Sequence, residues 1–157
     1  MSESPFPFQR LCTRPLVLLP TRVWRTYSGG QMLGLWRGYN EPDGSMPEDW
    51  AGSTTRAVNA SHPGGPDEGL SRIDGAQAGL ADNPLLLDLI NACPEGMLGA
   101  AHVRQWGAQT ALLVKALDAA ERLAIQAHPD RASARRYFQS AFGKTEAWYV
   151  LAARRCV

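Results

Sequence analysis

The sequence has little of several features that mark specialised classes of protein. Its 157 residues contain only three cysteines, Cys12, Cys93 and Cys156, and no Cys-x-x-Cys pair. This pattern fits reduced thiols in a cytosol better than a disulfide framework. No run approaches the roughly 20 apolar residues that a membrane helix needs, and the N-terminal segment does not resemble a secretory signal. We therefore expect a cytoplasmic protein with no membrane partner.

An excess of charge of one sign is also missing. The net charge is +1 and 20% of the residues are charged, so bulk electrostatics gives no indication of a nucleic-acid partner. The 45% apolar content is ordinary for a folded soluble protein, and the length favours one domain. Composition does not identify a function, and it leaves the oligomeric state unknown.

The N-terminal half predicts short strands followed by loops. Residues 15–24 have the composition of one or two short strands. Residues 38–84 form a loop-rich segment that holds half of all the glycines and prolines. Within it, the tight order of a tryptophan and charges in "PEDWAGS", residues 47–53, indicates a stretch that is pinned rather than free.

Helical signals follow this loop-rich segment. Asn83 is a plausible N-cap and Pro84 a plausible first helical residue, with Pro94 and Gly96 ending the helix. Residues 99–107 predict a second short helix.

The C-terminal third predicts three strands, at residues 111–119, 122–129 and 144–153. Asp130 is a candidate cap for a helix between the last two. Strands after a helical middle favour an α+β or mainly β fold.

Polar side chains interrupt two of these apolar segments. Residues two apart in a strand share a face, so Gln126 converges with His128, and Lys144 converges with Glu146. If the two strands are close, one patch holds an amide, an imidazole, a carboxylate and an ammonium group. The imidazole and the carboxylate are ready ligands for zinc, and the amide oxygen is a less usual one.

Spacing alone leaves simpler interpretations open for each residue. His128 can be a half-buried imidazole bonded to a backbone carbonyl. Gln126 can be a polar residue of an edge strand, and Lys144 with Glu146 can be a solvated pair.

Longer motifs add a resemblance to a known family. "LLVKALDAAERLAIQAHPD" followed by "GKTEAWYVL" resembles type I mannose-6-phosphate isomerases, which are zinc-dependent cupin enzymes. "PLVLLPTRVWRTYSGGQML" and "PEDWAGS" resemble earlier segments of that family. The resemblance implies a mainly β fold with helical insertions, a cupin-type jelly-roll/β-helix barrel that is incomplete in this chain. It makes residues 1–157 the N-terminal part of a cupin-type isomerase domain, with its loop-rich segment at 38–84.

The resemblance also implies roles for individual residues. It places the ligands of a Zn2+ cofactor on Gln126, His128 and Glu146, and the active-site lysine on Lys144. Lys115 matches a lysine implied in binding the phosphate of the sugar-phosphate substrate. The implied reaction interconverts mannose 6-phosphate and fructose 6-phosphate.

The chain departs from the family pattern in two ways. Ala124 stands where the family often has a serine. The family's fourth metal ligand and catalytic arginine would lie beyond Val157, so the resemblance covers an N-terminal half. We therefore expect the isolated chain to bind zinc weakly and to isomerise poorly or not at all. The alternatives are a non-catalytic or degenerate sugar-phosphate-binding cupin, or a truncated product that needs a C-terminal half.

Overall fold

The structure is a computed structural model that describes residues 8–62 and 64–154. These residues form short helices and three short strands, joined by long irregular segments. The helices are α1 (Phe8–Leu11), α2 (Gln31–Arg37), α3 (Gly75–Ala78), α4 (Leu86–Ala92), α5 (Pro94–Leu98), α6 (Ala100–Trp106) and α7 (Arg131–Phe138), and the strands are β1 (Arg22–Val23), β2 (Glu48–Ala51) and β3 (Val114–Leu117).

The strands form one antiparallel sheet in the order β1-β2-β3, with β2 in the middle. Trp50 lies opposite Lys115, and Glu48 lies opposite Leu117. Because alternate residues of a strand point to the same face, all four side chains share one face of the sheet. The register therefore brings the Glu48 carboxylate next to the Lys115 ammonium group.

The prediction of a mainly β fold with a cupin-type jelly-roll/β-helix barrel is wrong. The structure has 28% helix and 12% strand, and its sheet is open and three-stranded. Residues 122–129 and 144–153, predicted as strands, are irregular and make no strand ladder with other described residues. The Ile125 and Tyr149 residues are 93% and 87% exposed. An alternating apolar segment becomes a strand only where a neighbour pairs with its backbone groups.

Other predicted elements are present. Strand β3 lies inside residues 111–119, α6 lies inside residues 99–107, and α7 follows Asp130. The Asp130 side chain accepts a hydrogen bond from the Ser133 N–H at 2.7 Å, so the predicted cap is confirmed. No helix of the described residues is long and apolar enough to cross a membrane.

The helix predicted from Pro84 begins later, at Leu86. The Asn83 side chain does not cap it, because it accepts a hydrogen bond from the Gly75 N–H at 2.9 Å instead. Pro94 does not end helical structure either. It starts α5 directly, since proline fits the first turn of a helix, where its missing N–H has no intrahelical partner.

Buried hydroxyl groups hold the stretch around β2 in place. Ser71 Oγ accepts the Ser53 N–H at 2.9 Å, donates to the Trp50 carbonyl at 3.1 Å and lies 2.9 Å from Thr21 Oγ1. Ser53 and Ser71 are almost fully buried. The "PEDWAGS" stretch therefore contains the middle strand and the residues that follow it. It is held by strand pairing with β1 and β3 and by the hydrogen bonds of Ser71.

The main apolar cluster is formed by residues outside the three strands. Leu11 from α1, Ile73 before α3 and Leu89 from α4 pack together with exposures of 2% or less. Several partly buried apolar side chains surround them. This packing joins the beginning of the described chain to its helical middle.

Two leucines of α2 test the burial pattern. Leu33 is 5% exposed, whereas Leu35 is 50% exposed. We expect Leu33→Ala to lower the free energy of unfolding by about 2–5 kcal/mol, because it leaves a cavity. Leu35→Ala is the matched control and should cost less than about 1 kcal/mol. Urea unfolding followed by circular dichroism measures both values, and equal losses would contradict this packing.

Candidate functional site

A cleft of about 210 Å³ lies beside β3. Its lining combines two carboxylates, two ammonium groups, an imidazole, an amide and a phenol, with an apolar border. The polar members are Tyr27, Glu48, Lys115, Gln126, His128, Lys144 and Glu146, and the apolar border is formed by Leu117, Leu123, Ala124 and Trp148.

Glu146 is the meeting point of the charged groups. Its Oε2 atom lies 2.5 Å from His128 Nε2 and 3.5 Å from Lys144 Nζ, and its Oε1 atom lies 3.9 Å from Lys115 Nζ. Burial alone would raise the pKa of Glu146. The charge of Lys144, the hydrogen bond with His128 and the charge of Lys115 outweigh burial and hold that pKa below its ordinary value.

A close approach of two backbone segments sets the positions of His128 and Glu146. The Lys144 N–H donates to the Pro129 carbonyl at 3.0 Å. Because Pro129 follows His128 and Lys144 lies two residues before Glu146, this bond holds the two segments together. Gly143 makes this approach feasible. A Cβ atom at that position would lie only 2.8 Å from the Pro129 carbonyl oxygen, which is too close for any larger residue.

Glu48 forms the buried wall of the cleft. Its side chain is 3% exposed, and each of its oxygens accepts two hydrogen bonds. Tyr27 donates its hydroxyl to Oε1 at 2.7 Å and Lys115 donates to the same atom at 3.2 Å. Trp50 Nε1 and Arg25 Nε donate to Oε2 at 2.7 and 3.2 Å. A buried carboxylate with four donors is fully satisfied.

These contacts set the protonation states at this wall. Burial alone would raise the pKa of Glu48, but the hydrogen bonds from Tyr27 and Trp50 and the charge of Lys115 keep it below its ordinary value. Burial and the hydrogen bond to Glu48 raise the pKa of the Tyr27 phenol well above its ordinary value. Tyr27 therefore stays protonated and acts as a donor at neutral pH.

The structure brings the candidate site residues into this one cleft. Gln126, His128, Lys144 and Glu146 line it, and so does Lys115. Gln126, His128, Lys144 and Glu146 meet through irregular segments and not through the adjacent strands that we expected. The His128 side chain is 29% exposed and contacts a carboxylate, which differs from the simpler prediction of a bond to a backbone carbonyl.

The donor atoms of the cleft fit a zinc ion in their chemistry. An imidazole nitrogen and a carboxylate oxygen are common zinc ligands, and the Gln126 amide oxygen would be a third. The described residues contain no cluster of three histidine, cysteine or acidic side chains suited to a metal, so the amide is needed. His128 Nε2 and Glu146 Oε2 now bond to each other. Both atoms would have to separate before they could hold an ion.

Sequence reasoning missed Glu48 and Tyr27 as members of the cleft. A signal for Glu48 was present, because "PEDW" places a carboxylate two residues before a tryptophan in a stretch that we expected to be pinned. Its pairing with Lys115 depends on the register between β2 and β3, and no local pattern gives that register. Tyr27 lies outside any regular element and gave no signal.

Replacement of the buried carboxylate tests its structural role. We expect Glu48→Gln to lower the free energy of unfolding at pH 7 by about 3 kcal/mol, because Arg25 and Lys115 lose their charged partner at a buried position. Glu41→Gln is the matched control, since Glu41 is 39% exposed and pairs with Arg22. It should cost less than about 1 kcal/mol. Urea unfolding of both variants gives the comparison, and a neutral Glu48→Gln would contradict the assignment.

The stability that the Glu48 carboxylate contributes depends on pH in a predictable direction. The folded pKa of Glu48 lies below its ordinary value of 4.5, so its charge stabilises the fold above that pH. This contribution is lost as the pH falls through the folded pKa. The stability difference between the wild-type chain and Glu48→Gln should therefore shrink below about pH 4.5. A difference that stays constant from neutral to strongly acidic pH would refute this explanation.

Comparison with known proteins gives no relative for this chain. No family model, curated protein or solved structure matches it. A function must therefore be inferred from the residues of the cleft and from their motifs.

Proposed function

We propose that the cleft is the site of a zinc-dependent aldose–ketose isomerase that interconverts mannose 6-phosphate and fructose 6-phosphate. The observation that carries this proposal is the convergence of Gln126, His128 and Glu146 with two lysines in one cleft. The motif resemblance assigns its metal ligands and lysines to the same five residues. The motif resemblance and the proximity of these five side chains in one cleft both support the proposal.

The chemistry of isomerisation suits these residues. The reaction moves a proton between C1 and C2 of the sugar, and negative charge develops on a sugar oxygen. A bound zinc ion would supply a Lewis acid for that oxygen. The Lys144 ammonium group lies 3.5 Å from Glu146 and is placed to stabilise the same charge. Lys115 offers a point charge for the substrate phosphate.

A neighbouring cleft gives an extended substrate room. Its volume is about 580 Å³, and Lys115, Lys144 and Glu146 line it as well. A hexose phosphate can therefore contact both ammonium groups while it extends past the shared wall. The volume lies within the range of common small-molecule sites.

A non-catalytic protein that binds sugar phosphates is the second candidate. The direct contact between His128 and Glu146 favours it, because the two atoms that would face a metal satisfy each other. In this alternative the lysines bind the phosphate and no isomerisation takes place.

Zinc binding tests the proposed ligands. We expect His128→Ala to weaken zinc binding by more than about 100-fold, since loss of even an outer-shell partner costs about 10–100-fold. His102→Ala is the matched control, because His102 bonds to the Gln109 carbonyl outside the cleft. Isothermal titration with zinc measures both affinities, and equal affinity in the two variants would exclude His128 as a ligand.

A coupled isomerase assay separates the two candidate functions. We expect Lys144→Met to reduce any zinc-dependent conversion of mannose 6-phosphate by at least about 100-fold, because general acid–base or charge-stabilising groups contribute about 10²–10⁴-fold. Arg104→Met, an exposed residue of α6, makes the same charge change outside the cleft and should leave the rate unchanged.

Binding of the substrate completes this test. Conversion of mannose 6-phosphate would exclude the non-catalytic candidate, for which binding without conversion is the expected result. Absence of both binding and conversion would contradict both functions.

A further inference from the structure

Two cysteines that are far apart in the sequence meet beside the apolar cluster. The Cys12 thiol hydrogen-bonds with Cys93, and both side chains are partly buried and reduced. Neither residue belongs to the candidate cleft. The pair is therefore a feature that the proposed isomerase function does not explain.

Separate anchors hold the two residues in place. Cys12 follows Leu11, which is 2% exposed, and packs against the cluster that Leu11 forms with Ile73 and Leu89. Cys93 joins α4 to α5. Its N–H donates to the Leu89 carbonyl at 3.0 Å, and its carbonyl accepts the Met97 N–H at 3.0 Å. The contact between the thiols is therefore built into the packing and the helix junction.

Gly96 leaves the space that the two sulfurs share. A Cβ atom at residue 96 would lie 2.5 Å from Cys93 Sγ and 3.6 Å from Cys12 Sγ. Both sulfurs thus border the same small volume, and a side chain at this position would push Cys93 away. Glycine at the first turn of α5 therefore leaves room for the contact between the two thiols.

We propose that Cys12 and Cys93 are a modification site at which a low-molecular-weight disulfide, such as oxidised glutathione, joins the two thiols in an intramolecular disulfide. The sulfur of one cysteine attacks the reagent as a thiolate, forms a mixed disulfide and releases one thiol. The other cysteine then displaces the second thiol and closes the protein disulfide. Two protein thiols are oxidised, and one molecule of reagent is reduced to two thiols.

Burial and the hydrogen bond with Cys93 raise the pKa of Cys12 to about 11, so its thiol is protonated at neutral pH. Because the thiolate is the attacking form, this raised pKa slows the step in which Cys12 attacks. Closure would fasten the end of α1 to the junction of α4 and α5 and would restrict the unfolded chain over a long loop.

The test uses the full chain with Cys156→Ser, because Cys156 lies outside the described residues and would compete for the reagent. After treatment with oxidised glutathione, we expect both remaining thiols to be lost without a bound glutathione, and peptide mapping to show Cys12 linked to Cys93. The midpoint of thermal unfolding should rise by roughly 5–10 °C and return to its original value after reduction.

Two further variants test the roles of Cys12 and Gly96. With Cys12→Ser added, Cys93 should instead retain one glutathione, because no partner thiol remains. With Gly96→Ala added, closure should slow by at least about tenfold. Peptide mapping of the Cys156→Ser chain decides the matter if these variants do not fold. Two bound glutathiones, or a link between two chains in place of the internal one, would overturn the proposal.

Discussion

Glu48 places a negative charge inside the sheet, where its side chain is 3% exposed. A buried carboxylate is stable only when hydrogen bonds and opposite charges replace the water that it has lost. Tyr27, Trp50, Lys115 and Arg25 supply these contacts. They come from β2, from β3 and from the segment after β1, so satisfying one carboxylate fixes three parts of the chain relative to one another. Without it, Arg25 and Lys115 would each lose a carboxylate partner beside the sheet.

Lys115 connects the sheet to the cleft through two ion pairs. Its ammonium group lies 3.2 Å from Glu48 and 3.9 Å from Glu146, so it bridges the buried carboxylate and the one at the centre of the cleft. Lys144 adds a second cation beside Glu146. The negative charges of the two carboxylates cancel the positive charges of the two ammonium groups. A bound divalent ion would therefore leave the cleft positively charged. A phosphate-bearing ligand would restore neutrality, which connects metal binding to the proposed substrate class.

The parts of the fold that sequence predicts correctly are those with local causes. Asp130 caps α7 because a carboxylate can accept an N–H three residues away. Gln126 and His128 lie two apart in the sequence and both line the cleft, although their segment is not a strand. The strands at 122–129 and 144–153 are wrong because strand formation depends on distant pairing partners, and the register that joins Glu48 to Lys115 is equally non-local.

The segment that carries Glu146 keeps its place without strand pairing because it is held at both ends. At its start, the Lys144 N–H bonds to the Pro129 carbonyl. At its end, Arg154 pairs with Asp43 at 2.6 Å and with Asp118 at 2.5 Å. Asp118 directly follows β3 and also accepts backbone N–H groups at the start of α2. The cleft is thus positioned by charge-assisted contacts to the end of the sheet, and this irregular segment presents its carboxylate without strand pairing.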